Sequence, residues 1–206
     1  MAWTTPRTWV TGETVTAALL NAHVRDNFRE TSPFTVTTAG DISYADAANS
    51  MNSRVGIGAA LSMLASTGSA PVWRTPATDG DTGAGTTSGT VYESLGGPGF
   101  LGFSGEIEAS VTTGTGALIL FKAGLANSSA HAETYMSYSV SGATTAAASD
   151  AAAIWYESGL ANDRALFGGF DYKTGLTAGT NVFTLEGRVS AGTGRFVHPE
   201  IFVLPF

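Results

Sequence analysis

The sequence predicts a mainly β protein, in which a short N-terminal helix and an extended segment precede a C-terminal antiparallel β-sandwich of jelly-roll type. After residue 90, short apolar runs separated by turn residues recur at regular spacing, which is typical of two-sheet folds. In residues 182–189, Phe183, Leu185 and Val189 share one face and polar side chains share the other, as in a half-buried strand. Charged residues make up only 13% of the chain, which contains 26 glycines, and this composition favours turns and short strands over long surface helices.

The composition also excludes several classes of protein. A net charge of -7 argues against nucleic-acid binding, because phosphates require a basic face. No apolar run reaches the length of about 18 residues that a membrane span needs, and the N-terminal residues lack the charged and apolar regions of a secretory signal. The chain has no cysteine, which excludes disulfides and thiolate metal sites and suits a protein made in a reducing cytoplasm that later works outside it.

Residues 1–33 are the first predicted region, interpreted as an attachment or oligomerisation element. Trp3 and Trp9 lie in an extended arm that is too short to bury them, so they pack either on the following helix or on a partner subunit. The helix is predicted from residue 14 to residue 29, with Thr14 or Thr16 as its N-cap.

One face of this predicted helix is apolar, because four residues recur at intervals of three and four positions: Ala17, Leu20, Val24 and Phe28. Pro33 prevents the helix from continuing. An isolated helix of about four turns is marginal in water, so the stripe is expected to pack on another surface. Copies of the same helix in an oligomer are a natural choice.

Residues 34–76 are predicted to form an extended, shaft-like segment. Their apolar pieces are short and separated by small residues and glycines, so none can form a core alone, and such segments are stable when they wind around or lie along identical neighbours. Residues 77–90, ATDGDTGAGTTSGT, have the composition of a linker.

Residues 91–206 are predicted to form the β-sandwich domain. The Ala-rich stretch 144–153 is interpreted as a loop, although it could form a helical turn. The last apolar run has two apolar faces, as in a strand that is buried on both sides or that closes a subunit interface; its candidate interface residues are Ile201, Phe202, Val203 and Leu204. The eight predicted strands are Val91–Leu95, Glu106–Val111, Ala117–Lys122, Thr134–Val140, Ala153–Glu157, Ala165–Tyr172, Val182–Val189 and Phe196–Leu204.

No group of residues in the sequence predicts a metal site. His23, His131 and His198 occupy separate segments and lack the spacing of zinc ligands, although a trimer could bring three copies of one histidine together on its axis. Asp79 and Asp81 resemble part of a calcium loop, but the full ligand series and the closing glutamate are missing. We therefore expect no metal and no cofactor.

A catalytic carboxylate pair is the one enzymatic feature that the sequence offers. Glu106 and Glu108 share a face of a predicted strand, a spacing that could place two carboxylates at the separation used by glycosidases. On an exposed strand face such a pair is more often simply solvated, and no nucleophile elbow or phosphate-binding loop is present. We therefore expect that the protein is not an enzyme.

The aromatic residues of the β-domain are the candidate binding residues. Trp155 and Tyr156 are adjacent, so in a strand they point to opposite faces, one inward and one outward. Exposed aromatic side chains beside polar loops suit stacking on sugar rings or packing on another protein. Trp155, Tyr156 and Tyr172 are therefore candidate receptor-binding residues, with the alternative that they belong to the core or to a subunit interface.

Two sets of motifs, one in each half of the chain, support a resemblance to a known family. The N-terminal motifs are Trp9-x-x-Gly12-x-x-Val15-Thr16-Ala17-x-x-Leu20-Asn21-x-x-Val24-Arg25-Asp26-Asn27, then Thr38-x-Gly40-Asp41-Ile42-x-Tyr44-Ala45, Arg54-Val55-x-Ile57-Gly58, Leu64 and Pro71-x-Trp73. The C-terminal motifs are Val140-Ser-Gly-Ala-Thr144, Ala148-Ser-Asp150, Gly175-Leu-x-Ala-Gly-Thr-Asn181-x-Phe183 and Phe202-Val-Leu-Pro205. In combination they resemble minor tail and tail-fibre-like structural proteins of tailed bacteriophages, especially those that infect actinobacteria. A full tail fibre is usually longer and repeats the shaft module, which occurs once here.

The resemblance implies a homotrimeric virion protein that is made in the host cytoplasm and exposed on the particle. Its implied partners are copies of itself, other virion proteins of the tail or head, and a glycan or protein of the host cell surface. Three functions are compared: a tail-associated adhesin, a capsid-decorating or head-fibre protein, and an enzyme that degrades envelope polysaccharide. The adhesin is the first expectation, and capsid decoration is the alternative.

Overall fold

The computed structural model describes residues 5, 7–29, 36–45, 53–67 and 70–206. It divides the chain into two compact units, Met1–Trp73 and Arg74–Phe206. Trp3, a predicted attachment residue, lies outside the described residues. Within the described ranges, no helix combines the length and apolar character needed to cross a membrane.

The N-terminal helix starts later than predicted and contains a π-helical turn. Helix α1 spans Ala17–Leu20, the π-helical turn spans Asn21–Arg25, and helix α2 spans Asp26–Arg29. The helical residues begin after Thr16, whose Oγ1 accepts a hydrogen bond from the backbone N–H of Leu19 at 3.3 Å. Thr16, one of the two predicted caps, is therefore the N-cap.

The predicted apolar stripe of this helix is exposed at Leu20, Val24 and Phe28. Trp9 is also exposed, with the guanidinium carbon of Arg7 4.9 Å from its ring centroid. These side chains are therefore accessible to a partner, and their role in attachment stays a prediction.

The predicted shaft segment contains two two-stranded sheets. Strand β1 (Ile42–Tyr44) pairs with β2 (Ser53–Val55), and β3 (Met63–Ser66) pairs with β4 (Pro71–Arg74). Whether this segment serves as a shaft stays a prediction.

Local packing accounts for the spacing of the Gly-Asp-Ile and Pro-x-Trp motifs. The Asp41 carboxylate accepts hydrogen bonds from the backbone N–H of Thr38 at 3.0 Å and from Nη1 of Arg54 at 2.6 Å. The indole ring of Trp73 lies against Gly58, where an added Cβ would come within 2.5 Å of the ring. These contacts join residues that are far apart in the motif, so the motif describes a small folded unit.

The second unit is an antiparallel β-sandwich of jelly-roll type, as predicted. Its strands are β5 (Ala77–Gly80), β6 (Ala84–Thr87), β7 (Glu93–Ser94), β8 (Glu108–Thr113), β9 (Gly116–Asn127), β10 (Glu133–Gly142), β11 (Ile154–Glu157), β12 (Arg164–Thr174), β13 (Gly179–Val189) and β14 (Gly194–Pro205). The eight predicted strands correspond to β7–β14. A 3-10 turn, Asp150–Ala152, lies in the predicted loop before β11.

The strands form two five-stranded sheets. In the first sheet the order is β11-β10-β13-β7, and β8 also pairs with β13. In the second sheet the order is β12-β9-β14-β5, and β6 also pairs with β14. All of these pairs are antiparallel.

The inward-facing residues of the two sheets form one apolar core. The alternation predicted for residues 182–189 is confirmed, because Phe183, Leu185 and Val189 are completely buried. At Gly187 an added Cβ would lie 2.5 Å from the ring of Phe196 and 2.8 Å from the ring of Phe100, so glycine leaves room for these rings. The largest completely buried side chains are Phe183, Phe196, Leu95, Ile119, Leu125, Met136, Leu185 and Ile201.

The predicted linker 77–90 requires correction, because it contains β5 and β6, both paired with β14. Small and polar side chains do not prevent pairing where a neighbouring strand offers backbone partners. Thr78 also donates its hydroxyl to the backbone oxygen of Ile201 at 2.9 Å. Residues 77–90 therefore have the composition of a flexible linker, but their pairing with β14 makes part of them strands.

The last strand also differs from the prediction of a subunit interface along its whole length. Ile201 and Val203 are completely buried in the core, whereas Phe202 is exposed and Leu204 is half-buried on the outer face. The side chains of Ile201 and Val203 are therefore committed to the core and cannot contact a second subunit. β14 lies between β9 and β5 in the second sheet, and Phe202 and Leu204 lie on its outer face.

Candidate functional site

A row of three side chains crosses the outer face of the first sheet. Tyr135 on β10 lies opposite Trp155 on β11 and, on its other side, opposite Arg188 on β13. The Tyr135 and Trp155 rings are stacked, with centroids 6.3 Å apart and planes inclined by 29°. The guanidinium carbon of Arg188 lies 3.8 Å from the Tyr135 ring centroid, within the range of a cation–π interaction.

Two further side chains complete this group. Arg188 donates to both oxygens of Asp150, from Nε to Oδ1 at 3.1 Å and from Nη2 to Oδ2 at 2.6 Å. Tyr92 donates its hydroxyl to Oδ1 of Asp150 at 2.9 Å. The paired donors fix the plane of the guanidinium group. These five residues, Tyr92, Tyr135, Asp150, Trp155 and Arg188, are called the Trp155 surface below.

The ionisation states of the Trp155 surface are set by these contacts. Hydrogen bonds from Arg188 and then from Tyr92 lower the pKa of Asp150 below its usual value. The same bond to Asp150 raises the pKa of Arg188. Burial, followed by the hydrogen bond to Asp150, raises the pKa of Tyr92 above its usual range. At neutral pH Asp150 and Arg188 are therefore charged. Tyr92 keeps its hydroxyl proton and uses it to donate a hydrogen bond to Asp150.

The loop between β10 and β11 holds Asp150 in place. The backbone N–H of Thr144 donates to Oδ1 of the buried Asn181 at 2.7 Å. Ser137 on β10 donates its hydroxyl to the backbone oxygen of Ser149 at 2.9 Å. Asp150 then begins the 3-10 turn. The loop is thus tied to the sheet at both ends, and the carboxylate reaches Arg188 from a fixed position.

The Trp155 surface presents an accessible ring beside fixed polar groups. Trp155 is 52% exposed, whereas the Arg188 side chain is only 18% exposed. An exposed aromatic face binds apolar faces of a ligand, and nearby charged and hydroxyl groups orient the ligand's polar atoms. Such an arrangement can bind a ring that carries hydroxyl groups.

The predicted receptor-binding residues do not form one site. Trp155 points outward and Tyr156 inward, as their adjacency predicts. Tyr156 packs against Phe167 with centroids 5.2 Å apart and donates its hydroxyl to Asp163 at 2.6 Å. Tyr156 therefore lies at the margin of the core, and its role in receptor binding stays a prediction.

Tyr172 lies on the other sheet. It is exposed on β12 and packs edge-on against Phe206, with ring centroids 5.9 Å apart. Of the three predicted residues, only Trp155 lies beside Arg188 and Asp150. Tyr172 lies on a different face of the sandwich.

Of the members of the Trp155 surface, sequence reasoning assigned only Trp155 to the candidate binding residues and missed the other four. The alternation of β13 places Arg188 on the outer face, and Tyr135 is one of the aromatic residues of the β-domain. Asp150 and Tyr92 lie outside regular strands, at positions 58 residues apart in the chain, and no periodicity connects them. Their proximity follows only from the path of the loop between β10 and β11.

The other candidate groups do not converge on a site. In the part of the chain that the structure describes, no group of three or more histidine, cysteine, aspartate and glutamate side chains is placed to hold a metal ion. Asp79 in β5 accepts from the backbone N–H of Glu108 in β8 at 2.9 Å, and Asp81 accepts from that of Gly83 at 2.6 Å, so Asp79 links two strands and Asp81 stabilises a local turn. Glu106 and Glu108 are exposed at the start of β8.

No protein-family model and no curated protein matches the chain. Among solved structures, it is similar to Eiger TNF from S. frugiperda, at 12% identity and a TM-score of 0.43 over 65% of this chain and 92% of that chain. A carbohydrate-binding module of Cellvibrio mixtus lichenase 5A in complex with cellotriose matches at 13% identity and a TM-score of 0.29, over 56% of this chain and 94% of that chain. The enzymatically active domain of tailspike protein 4 of bacteriophage CBA120 matches at 13% identity and a TM-score of 0.30, over 62% of this chain and 19% of that chain. Similarities at these values carry no argument about function.

Proposed function

We propose that the protein is a structural component of a phage virion, a tail-associated fibre or minor tail protein that binds a glycan of the host surface through its β-sandwich. The N-terminal unit anchors the protein, and a homotrimer is the form implied by the resemblance. The single observation that supports the binding role is the Trp155 surface, where an exposed indole ring lies beside a fixed arginine–aspartate pair.

The charges around Trp155 favour a neutral sugar. The positive charge of Arg188 is matched by Asp150 at 2.6 Å. Glu133 accepts a hydrogen bond from the Tyr135 hydroxyl, and Glu157 lies next to His131 on the same face. An anionic ligand would meet these carboxylates without a free cation close to the indole ring. A neutral hexose or acetamido sugar can stack on the indole and donate hydroxyl hydrogens to the carboxylates.

The first experiment measures binding of the full chain to purified host envelopes and to a panel of neutral oligosaccharides. Trp155→Ala is expected to weaken binding by about fivefold or more, since stacking on one aromatic residue contributes on the order of 1 kcal/mol. Leu160→Ser is the control, because Leu160 is 74% exposed in the turn between β11 and β12 and is not a member of the Trp155 surface. Unchanged binding in Trp155→Ala, or an equal loss in the control, would refute the role of this surface.

We propose that the protein binds without catalysis. Glu106 and Glu108 are exposed side chains at the start of β8, and neither is a member of the Trp155 surface. The test incubates the wild-type chain and a Glu106→Ala, Glu108→Ala double variant with host envelopes. No release of reducing sugar is expected from either protein. Release that depends on these glutamates would establish an enzyme instead.

The location on the particle distinguishes the two structural functions. A gold-labelled antibody against residues 85–206, applied to intact virions, is expected to label the tail end. Label spread over the head would support the alternative, a capsid-decorating or head-fibre protein, and would remove the argument for receptor binding.

A further inference from the structure

The outer face of the second sheet is apolar over several adjacent strands. The alternation of β12 places one set of side chains away from the core, and that set includes Leu166, which is 73% exposed, and Phe170, which is 77% exposed. Neighbouring strands add further exposed apolar residues. The exposed members, called the apolar face below, are Leu120, Leu166, Phe170, Tyr172, Phe202 and Phe206.

The apolar face is larger than the scattered apolar exposure that any folded protein carries. A fully exposed aromatic or leucine side chain offers roughly 150–250 Å², so the exposed fractions of these six residues together give roughly 600–700 Å². That area exceeds the largest patch of a typical monomer. It approaches the roughly 800 Å² per partner that a stable protein–protein interface buries.

The charges on this face permit contact between identical copies. Lys122 on β9 and Glu200 on β14 form an ion pair at 2.6 Å within the face. Because the two charges neutralise each other, the centre of the face is uncharged, and two copies approach it without repulsion between like charges. An uncharged face gives no electrostatic attraction to a strongly charged partner, so it favours a second copy of the chain over such a partner.

The apolar face also contains both a projecting ring and a hollow. Phe170 projects from β12 and lines one side of an open hollow of about 380 Å³. The other lining residues include Leu120, Phe202, Gly168 and the Lys122–Glu200 ion pair. Gly168 leaves this space open, since an added Cβ there would make only ordinary contacts at 3.6 and 3.7 Å. A cavity of about 150 Å³ already accommodates a benzene molecule, so the hollow has room for a phenyl ring.

We propose that a second copy of this chain binds to the apolar face, and that Phe170 of one copy enters the hollow beside Gly168 of the other. Burial of the face removes exposed phenyl and leucine groups from water, which favours association by about 25 cal/mol per Å² before the entropic costs of association. A pair forms when each copy fills the other's hollow, and a ring of three forms when the contact closes after three copies. The Trp155 surface lies on the opposite sheet and stays accessible in either case.

The inference is tested with the full chain by sedimentation velocity and light scattering at micromolar concentration. The wild-type protein is expected to have a mass that is a multiple of 21.1 kDa, and Phe170→Ser is expected to raise the dissociation constant about tenfold or more. Leu160→Ser is the control for the loss of an exposed apolar side chain, because Leu160 is 74% exposed in the turn between β11 and β12, off the apolar face. The control is expected to leave the mass unchanged.

A second variant distinguishes insertion of the Phe170 ring into the hollow from association that depends only on the amount of exposed apolar surface. Gly168→Leu adds apolar surface while it fills the hollow, so it is expected to weaken association if Phe170 enters the hollow. Stronger association in Gly168→Leu would overturn that packing. Circular dichroism of each variant confirms that the sandwich is folded.

Other occupants of the apolar face lead to different results. A monomeric wild-type chain would overturn the proposal. So would association that is lost in Val24→Ser, on the exposed helical stripe, and retained in Phe170→Ser, because the N-terminal helix would then be the interface. Neither result depends on whether a glycan binds to Trp155, so glycan binding by the Trp155 surface and association through the apolar face fail independently.

Discussion

The outer faces of the two sheets are built from the same kind of strand but differ in chemistry. On the first sheet, Trp155 and Tyr135 lie beside Arg188 and Asp150, which pair at 2.6 Å. On the second sheet, Leu166 and its neighbours form the apolar face, where the Lys122–Glu200 pair is the polar contact at the centre. Alternation alone makes both faces available, and the residues placed on them determine what each can bind.

This difference bears on how one small domain can serve two partners. A polar surface with a single exposed ring binds a hydrated ligand weakly, because much of each contact replaces a contact with water. An extended apolar face gains from burial and suits a lasting contact between proteins. Several weak glycan sites, joined through the apolar face, would act together on a host surface.

The largest expected effect follows from that linkage. Phe170→Ser is expected to keep the wild-type affinity for one oligosaccharide in solution, measured by isothermal titration calorimetry, since Trp155 is on the other sheet. On a surface densely coated with the same glycan, it is expected to bind about 100-fold more weakly, because linked sites lose their multivalent gain when copies separate. Surface plasmon resonance measures this second affinity.

Trp155→Ala gives the opposite pattern. It is expected to lose binding in solution and on the surface, while the mass in solution stays that of the wild type. If Phe170→Ser lost affinity equally in solution and on the glycan-coated surface, while its mass stayed unchanged, the separation of the two faces would be contradicted. Leu160→Ser is again the control that changes exposed apolar surface elsewhere.

A smaller effect concerns the buried amide that supports the Trp155 surface. Asn181 is completely buried, donates from Nδ2 to the Thr113 hydroxyl at 2.7 Å and accepts from the Thr144 backbone N–H. Asn181→Ala leaves these groups without their partner, so the free energy of unfolding in urea is expected to fall by about 2 kcal/mol. Glycan binding is expected to weaken as well, because Thr144 lies in the loop that carries Asp150.

Asn127 provides the matched control for this variant. It is also completely buried, and its Nδ2 donates to the Thr134 hydroxyl at 3.2 Å and to the backbone oxygen of Ala191 at 3.0 Å. Asn127→Ala is expected to cost a similar free energy of unfolding, about 2 kcal/mol, while glycan binding stays normal. Equal losses of binding in both variants would show that stability, and not the loop, accounts for the effect.

The sequence predicts the sandwich well because its signals are local. Alternation in residues 182–189 places Phe183 inward and Arg188 outward, and adjacency alone separates Trp155 from Tyr156. The linker prediction for residues 77–90 failed because strand pairing with β14 depends on a partner more than 100 positions away, which composition does not report.

The functional surfaces are less predictable for the same reason. Ile201 and Phe202 are adjacent and equally apolar in sequence, yet only the position of β14 within the second sheet assigns one to the core and the other to the outer face. The contact between Asp150 and Tyr92 spans 58 positions and two loops. Such contacts are set by the path of the chain, and no short-range pattern encodes them.

The smallest expected effect concerns pH, and it is confined to the Trp155 surface. The pKa of Asp150 is lowered from its ordinary value of 3.8, first by the hydrogen bond from Arg188 and then by that from Tyr92. A carboxyl group whose pKa is lowered on folding contributes stability that is complete above its unfolded value and is lost as the pH falls through the lowered one. Glycan binding is therefore expected to stay constant from pH 7 to pH 5 and to weaken only below about pH 4.

Asp150→Asn distinguishes this titration from general acid unfolding. The variant removes the charge that holds Arg188, so binding is expected to be weaker at neutral pH and to change little between pH 5 and the onset of unfolding. Tryptophan fluorescence measures binding, and circular dichroism at each pH follows the fold. A loss of wild-type binding between pH 7 and pH 5 would require a group that titrates in that range, and the arginine–aspartate pair would then not be the polar anchor of the surface.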